Sequence, residues 1–324
     1  MKFGLICRMS CFFVSALAPA VLSAANPLGV ANAYNVFVFS NFTETGSDTG
    51  GRIAAGGNVS FSGTYAVTQS ILDLYLAPNN DSLVVDGTVT SGTGSILHGN
   101  AFRETAGAGS VSMTGGGTLT TGGASPIGVA ALQSSYVNYS TQLSQLSSTG
   151  SVNNNGFGTI TLTGGNSTIN IFSVNIALLG GSNTFNINIP TSATAIINVT
   201  GTTGTTTNAG MFINGAGVNG DSSTGATKVL FNFYQATGLT LGGGFLGTVL
   251  APNANVTGTN FAQLDGGLIA NSFTGSTEFH DQLFTGGGTP SFPSAPTPEA
   301  GTSALIGFGL IGLAGIAKLK SQNS

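Results

Sequence analysis

Three stretches of the chain share one pattern. GRIAAGGNVSFSG (51–63) and GTVLAPNANVTG (247–258) each run from Gly through a β-branched residue and Ala to Asn-Val and a closing Gly. GLIANSFTG (267–275) is a shorter relative. A strand, a tight corner and a second strand produce such a pattern. Stacked coils of a β-solenoid repeat it imperfectly, because each coil buries a similar inner face on its neighbour. The spacing here is irregular, so a β-sandwich is the alternative. The expected fold is mainly β: a right-handed β-solenoid with one packed α-helix.

Composition agrees. Of 324 residues, 51 are Gly and none is Trp; 6% are charged and 41% hydrophobic. Low charge and ample Val, Ile, Leu and Phe are the opposite of a disordered composition. Period-two alternation recurs between Gly-Asn turns, as in Ile160 and Leu162, Ile169 and Ile171, and Phe185, Ile187 and Ile189. One segment has helical spacing instead. Leu132, Tyr136, Tyr139, Leu143 and Leu146 fall on one stripe. Ser125-Pro126 reads as its N-cap and first residue, and Gly150 as its end.

The two ends differ from the body. Lys2 and Arg8, the apolar run Cys11 to Leu22, and Ser23-Ala24-Ala25 read as a signal peptide, residues 1–25, cleaved before Asn26. Both cysteines, Cys7 and Cys11, lie within it, so the mature chain has no thiol ligand or disulfide. Residues 26–288 form one β-rich domain. Residues 289–299 are a Pro-rich linker. Residues 300–324 carry fifteen uncharged residues, Ser303 to Ala317, followed by Lys318 and Lys320. Fifteen helical residues cover ~23 Å, and extension back to Ala300 gives a marginal transmembrane helix with a cytoplasmic basic tip.

Pro298, Glu299 and Ala300, an apolar Gly-rich segment and a basic end resemble the PEP-CTERM sorting signal, with Ala300 where that signal has a second Pro. The resemblance implies an exosortase-type processing enzyme as a partner. It also implies a Gram-negative host, transient anchoring in the inner membrane, and display at the cell surface or in the extracellular matrix. The body resembles the choice-of-anchor A family through GRIAAGGN, KVLFNF, GTVLAPNANV, GGLIANSF and EFHDQLF, in that order. That likeness covers the stretches 28–63 and 228–286 and implies a non-enzymatic, adhesive surface or matrix protein.

Few residues invite chemistry. The net charge is −4, and Arg52, Arg103 and Lys228 are the only cations between the terminal segments, which excludes a phosphate-tracking groove for nucleic acid. His280-Asp281 suggests a base and its carboxylate, yet neighbours on a strand point to opposite faces. A structural role is expected for Glu278, His280 and Asp281. His98 is the other mature histidine. The acids Asp73, Asp81, Asp86, Glu104, Asp221 and Asp265 are dispersed, whereas polysaccharide hydrolysis needs two carboxylates across a cleft. Asn79-Asn80-Asp81 and Asn219-Gly220-Asp221 read as turns rather than cation sites. GGGFLG (242–247) lacks the lysine of a phosphate loop. Asn41 and Asn198 head Asn-x-Thr triplets and read as Asn-rich turns.

Thr159 to Thr163 and Thr202 to Thr206 are the remaining candidates, as threonine ladders on a flat face. No cofactor or metal is indicated. The expected function is adhesion, through exopolysaccharide or cell-surface glycans. The alternatives are a polysaccharide-active enzyme, which needs Asp73, Asp81, Asp86 and Asp221 to converge, and an ice-binding protein, which needs a flat face of regularly spaced Thr.

Overall fold

The computed structural model describes residues 27–69, 80–206 and 210–292. The signal-peptide and tail expectations therefore lie outside the described residues, as do Pro298, Glu299, Ala300, Lys318 and Lys320. Within them the chain is mainly β, wound into stacked coils. Among the described strands every ladder is parallel except one, so two opposed antiparallel sheets do not describe it.

The first wall contains ten parallel strands. Its order across the stack is Leu119–Thr121, Asn100–Arg103, Asp81–Val85, Ile53–Ala55, Val36–Val38, Leu268–Gly275, Thr248–Asp265, Val229–Asn232, Thr194–Thr200 and Ile169–Asn175. The order is not that of the sequence. The first coil sits mid-stack. The chain climbs from it to one end, crosses to the far end, and returns until Leu268–Ala270 pairs with Val36–Val38.

The three repeats turn one corner from the first wall into the second. Ile53, Leu268 and Val249 occupy one inward row together with Val36. The corners Gly56-Gly57-Asn58, Asn271-Ser272 and Pro252-Asn253-Ala254-Asn255 then lead to Val59, Phe273 and Val256, equally buried. Each such side chain contributes ~1.5–3 kcal/mol of burial.

Both faces of the first wall are covered, as parallel sheets require. Its outer row of Phe37, Ala54, Val84, Leu250 and Ile269 packs under helix α1 (Gln133–Ser144), whose Tyr136, Tyr139 and Leu143 are buried. The expected stripe is therefore present, but its boundaries shift. A 3-10 turn, Ala130–Leu132, precedes the helix, and Ser125 Oγ accepts instead from the Ile127 and Gly128 amides. The helix stops at Ser144, six residues before Gly150. Asn198 donates from the first wall to the Leu143 carbonyl at 2.8 Å, supplying a C-terminal backbone group with a partner. Asn198 is thus a buried strand residue and not part of a turn.

Both described ends meet on this helix. Tyr136 Oη donates to the Leu28 carbonyl and accepts from the Ala31 amide. Phe292 packs on Tyr136 and Tyr139, with ring centroids 4.4 and 5.2 Å apart. Residues 289–292, at the head of the expected linker, therefore lie against α1. Gly29 is held at φ +57°, where a Cβ would meet Phe292 Cδ1 at 2.7 Å. A second short helix, α2 (Ile176–Gly181), starts at Asn175, whose side chain caps the Ala177 amide.

Candidate functional site

The second wall is the exposed one. Its strands run in the order Thr203–Thr206, Gly238–Leu246, the middle of Thr248–Asp265, the end of Leu268–Gly275, Phe42–Thr45, Val59–Val67 and Val89–Ile96. Alternation sends Leu239, Val256, Phe273, Phe42 and Val59 inward, all at most 2% exposed. The residues that follow them face out, and each is a hydroxyl residue. Thr205 pairs with Thr240, Thr240 with Thr257, Thr257 with Thr274, Thr274 with Thr43, and Thr43 with Ser60. Thr205, Thr257 and Thr274 are exposed; the others are half-buried.

Strand spacing sets these hydroxyls ~4.8 Å apart along the stack, and positions two residues apart along a strand lie ~6.8 Å from one another. A second row begins Thr203, Gly238, Asn255, Ser272. At the corner, Asn41 Oδ1 accepts from the Asn58 amide at 2.8 Å, and Asn58 Oδ1 from the Thr88 amide at 3.0 Å. Asn255 Oδ1 accepts from Asn271 Nδ2 and Ser272 Oγ at 2.7 and 2.8 Å. These bonds fix the amides in place. Because Gly238 has no side chain, the face dips into a trough of about 360 Å3 lined by Thr203, Thr205, Thr240, Asn255 and Thr257.

The acid on this wall, Glu44, points inward and is fully buried. Burial raises its pKa to about 8, against the amides of Thr277 and Thr45 that donate to Oε1. The outer row from Thr205 to Ser60 is uncharged.

Of the two threonine runs, Thr203 and Thr205 join the rows of this face, whereas Thr206 is buried. Thr159 to Thr163 lie in a separate four-stranded sheet, facing Asn186 and Asn188. Thr43, Thr240, Thr257 and Thr274 carried no such signal, since they lie on four separate strands and only the register aligns them.

The dispersed acids do not form a common groove. Asp81 opens the strand Asp81–Val85 and Asp86 follows its end, so the two are ~16 Å apart along it. Asp81 borders a hollow of about 360 Å3 with Asn100, Phe102 and Thr120 at the end of the first wall. Asp86 Oδ2 accepts from the Ala130 amide ahead of α1, and Glu104 Oε1 from the Ser125 amide. Asp221 lies in the 3-10 turn Gly220–Ser222 beside the last described strand, Thr277–His280, its Oδ1 accepting from the Asp281 amide at 2.9 Å. Asp73 falls outside the described residues.

His280 does not pair with Asp281. Register places it opposite Asp265, and Nδ1 lies 2.8 Å from Asp265 Oδ1, while Nε2 lies 3.2 Å from Glu278 Oε1. Ser223 Oγ and the Asn219 amide donate to Asp265 Oδ2, and Gln263 Nε2 to Oδ1. Burial acts to lower the His280 pKa, but the bond and charge of Asp265, with Glu278 and Asp221, outweigh it and raise the value. Burial likewise acts to raise Asp265, and the donors around it outweigh that and lower it. Ser223 bonds the carboxylate and not the imidazole, so no nucleophile–base pair arises. The cluster fastens the turn 219–223 to the last strand.

Against known proteins, the description of an ice-binding-like adhesive domain matches residues 27–281. No curated protein matches. An ice-binding protein from an Antarctic biological consortium is 16% identical, with a TM-score of 0.37, covering 78% of this chain and 88% of its own. One from the Antarctic ascomycete Antarctomyces psychrotrophicus is 12% identical, TM-score 0.37, covering 79% and 98%. A glycosylated ice-binding protein from Arctic yeast is 14% identical, TM-score 0.32, covering 86% and 98%.

Proposed function

The chain belongs to the family of ice-binding-like adhesive domains, and on that premise we propose that it is a non-enzymatic, exported adhesive whose second wall binds an ordered, repetitive surface, ice foremost. The observation that carries this is the unbroken hydroxyl column from Thr205 to Ser60. One hydroxyl–surface hydrogen bond nets only ~1 kcal/mol. A rigid sheet presents many at once, and preorganisation spares the ordering cost that flexible contacts incur. The threonine methyls add apolar contact beside each hydroxyl. Thermal hysteresis and inhibition of ice recrystallisation by the purified protein test the proposal; inactivity in both assays removes ice as the ligand.

A second reading has its own support. The trough at Gly238, with hydroxyls and a pinned Asn255 amide on its walls, suits a polysaccharide chain lying along the stack. Co-sedimentation with the producer's exopolysaccharide distinguishes it, since ice activity and sugar retention are independent readouts. The right-handed winding, the choice-of-anchor A assignment and the PEP-CTERM-type tail belong to the same proposal. In it, residues 300–324 tether the domain until an exosortase-type enzyme acts at Pro298-Glu299-Ala300, leaving the adhesive wall free at the cell surface or in the matrix. Support for that part is the tail sequence itself.

A further inference from the structure

The outer face of the first wall changes character toward one end of the stack. Register carries its outer row from Phe37 through Ala54 and Val84 to Phe102 and Thr120. The first three pack under α1, and Phe102 is still 7% exposed, but Thr120 lies open to solvent. At that end of the row is the hollow of about 360 Å3, lined by Asp81, Asn100, Phe102, Thr118, Thr120 and Pro126. Its volume falls at the small end of the ~300–1,000 Å3 range of small-ligand sites.

The lining is set before any ligand arrives. Asn100 Oδ1 accepts from the Thr118 amide at 3.0 Å and from Thr118 Oγ1 at 3.2 Å, which fixes both side chains. The loop that carries Pro126 is held at two points. The Gly122 amide donates to the Arg103 carbonyl at 3.0 Å, and the Ser125 amide to Glu104 Oε1 at 3.3 Å. Asp81, 5% exposed, is the one charged residue among the described residues of the lining. A carboxylate has two oxygens with about four acceptor sites, so it can take ligand hydroxyls beside its bonds within the protein. Such O–H···O bonds to a charged acceptor are among the strong ones. Thr118 Oγ1, its proton directed at Asn100, is left to accept as well. Phe102 and Pro126 add apolar surface next to these acceptors. Acceptors beside an apolar floor fit a molecule with hydroxyls on its rim and C–H groups on its face. An anion meets the Asp81 charge and no lining cation.

We propose that this hollow is a binding site for one neutral sugar ring, with hydroxyls of the ring donating to Asp81 and Thr118 and its C–H face lying toward Phe102. The size admits a single ring at the end of a glycan rather than the run of a chain. The site shares no residue with the second wall, so it stands or falls apart from both readings of that wall.

Amide NMR spectra of the isotope-labelled full chain, titrated separately with methyl α-mannopyranoside, methyl β-glucopyranoside, methyl β-galactopyranoside and glucuronate, test this. The expected result is a saturable shift with at least one of the neutral glycosides, at a millimolar Kd, centred on residues 100–102 and 118–122. That Kd should weaken at least about tenfold in Asp81→Asn, which removes the charged acceptor, and in Thr120→Tyr, whose ring occupies the hollow. Thr257→Tyr, on the second wall, should bind as the parent does. Thr120 is exposed, so that variant keeps the test decisive if the more buried Asp81→Asn melts early. No saturable shift with any of the three glycosides overturns the proposal. So does glucuronate bound as tightly as they are, a shift centred on the second wall, or a Kd unchanged in Thr120→Tyr.

Discussion

Asn232 lies in the layer between the first wall and α1, among apolar side chains, and every polar atom it brings is used. Its Nδ2 donates to Asn198 Oδ1 and to the Ser140 carbonyl, each at 2.8 Å, and its Oδ1 accepts from Ser140 Oγ. Asn198 passes the chain on to Leu143. Removing one member strands the others in a dry layer, where each lost partner costs ~1–3 kcal/mol. Asn232→Ala should therefore lower unfolding free energy by roughly 2–4 kcal/mol in denaturant titrations. Glu44 behaves in the opposite sense. Its folded pKa of about 8 lies above its ordinary 4.5, so between those values the unfolded chain has released a proton that the folded one retains. Stability then falls as pH rises through that window, by up to ~1.4 kcal/mol per pH unit. Glu44→Gln, which cannot ionise, should flatten this fall in pH-dependent melts. His280, raised above 6.5, adds stability that is complete below that pH and lost as pH rises through its folded value. Asp265, lowered from 3.8, adds stability that is lost on acidification below it. The protein should be most stable in weak acid.

Helix α1 shows what could and could not be read at the scale of elements. Its stripe from Leu132 to Leu146 was legible, because 3.6-residue periodicity survives any context. Its ends were not. Ser125 has the chemistry of a cap but spends it on the Ile127 and Gly128 amides, and the C-terminal carbonyl of Leu143 finds Asn198, a residue distant in sequence. The corner repeats were legible for the same local reason as the stripe. The hydroxyl column was not, because Thr43, Thr257 and Thr274 become neighbours only through ladders closed over long separations. At the head of the expected linker, Phe292 fills the space above Tyr136, Tyr139 and Gly29. A chain ending at Gly288 should melt several degrees below one ending at Phe292, and Gly29→Ala should cost more than ~1 kcal/mol through strain and overlap together.

At the scale of the molecule, the described residues form a solenoid-like stack whose first and last coils meet in the middle. Ordinary solenoids couple each coil only to its neighbours and open from their termini. Here the first and last strands of the first wall, Val36–Val38 and Leu268–Gly275, are interior and paired on both sides, while Leu119–Thr121 and Ile169–Asn175 edge that wall and Ser151–Asn154 edges the four-stranded sheet. Amide exchange should accordingly be slowest at 36–38 and 268–270 and fastest at 119–121 and 151–154, the reverse of an order set by distance from the chain ends. The same closure lays Thr43 beside Thr274 and so completes the column on which the adhesive reading depends. The most direct test of that reading is the thermal hysteresis of the protein with Thr257→Tyr, a bulky group at the centre of the hydroxyl column, beside Thr121→Tyr at the end of the first wall. The account predicts activity in the unaltered chain and in Thr121→Tyr, and its loss in Thr257→Tyr at unchanged melting temperature. An inactive parent, or a Thr257→Tyr protein as active as the parent, would contradict it.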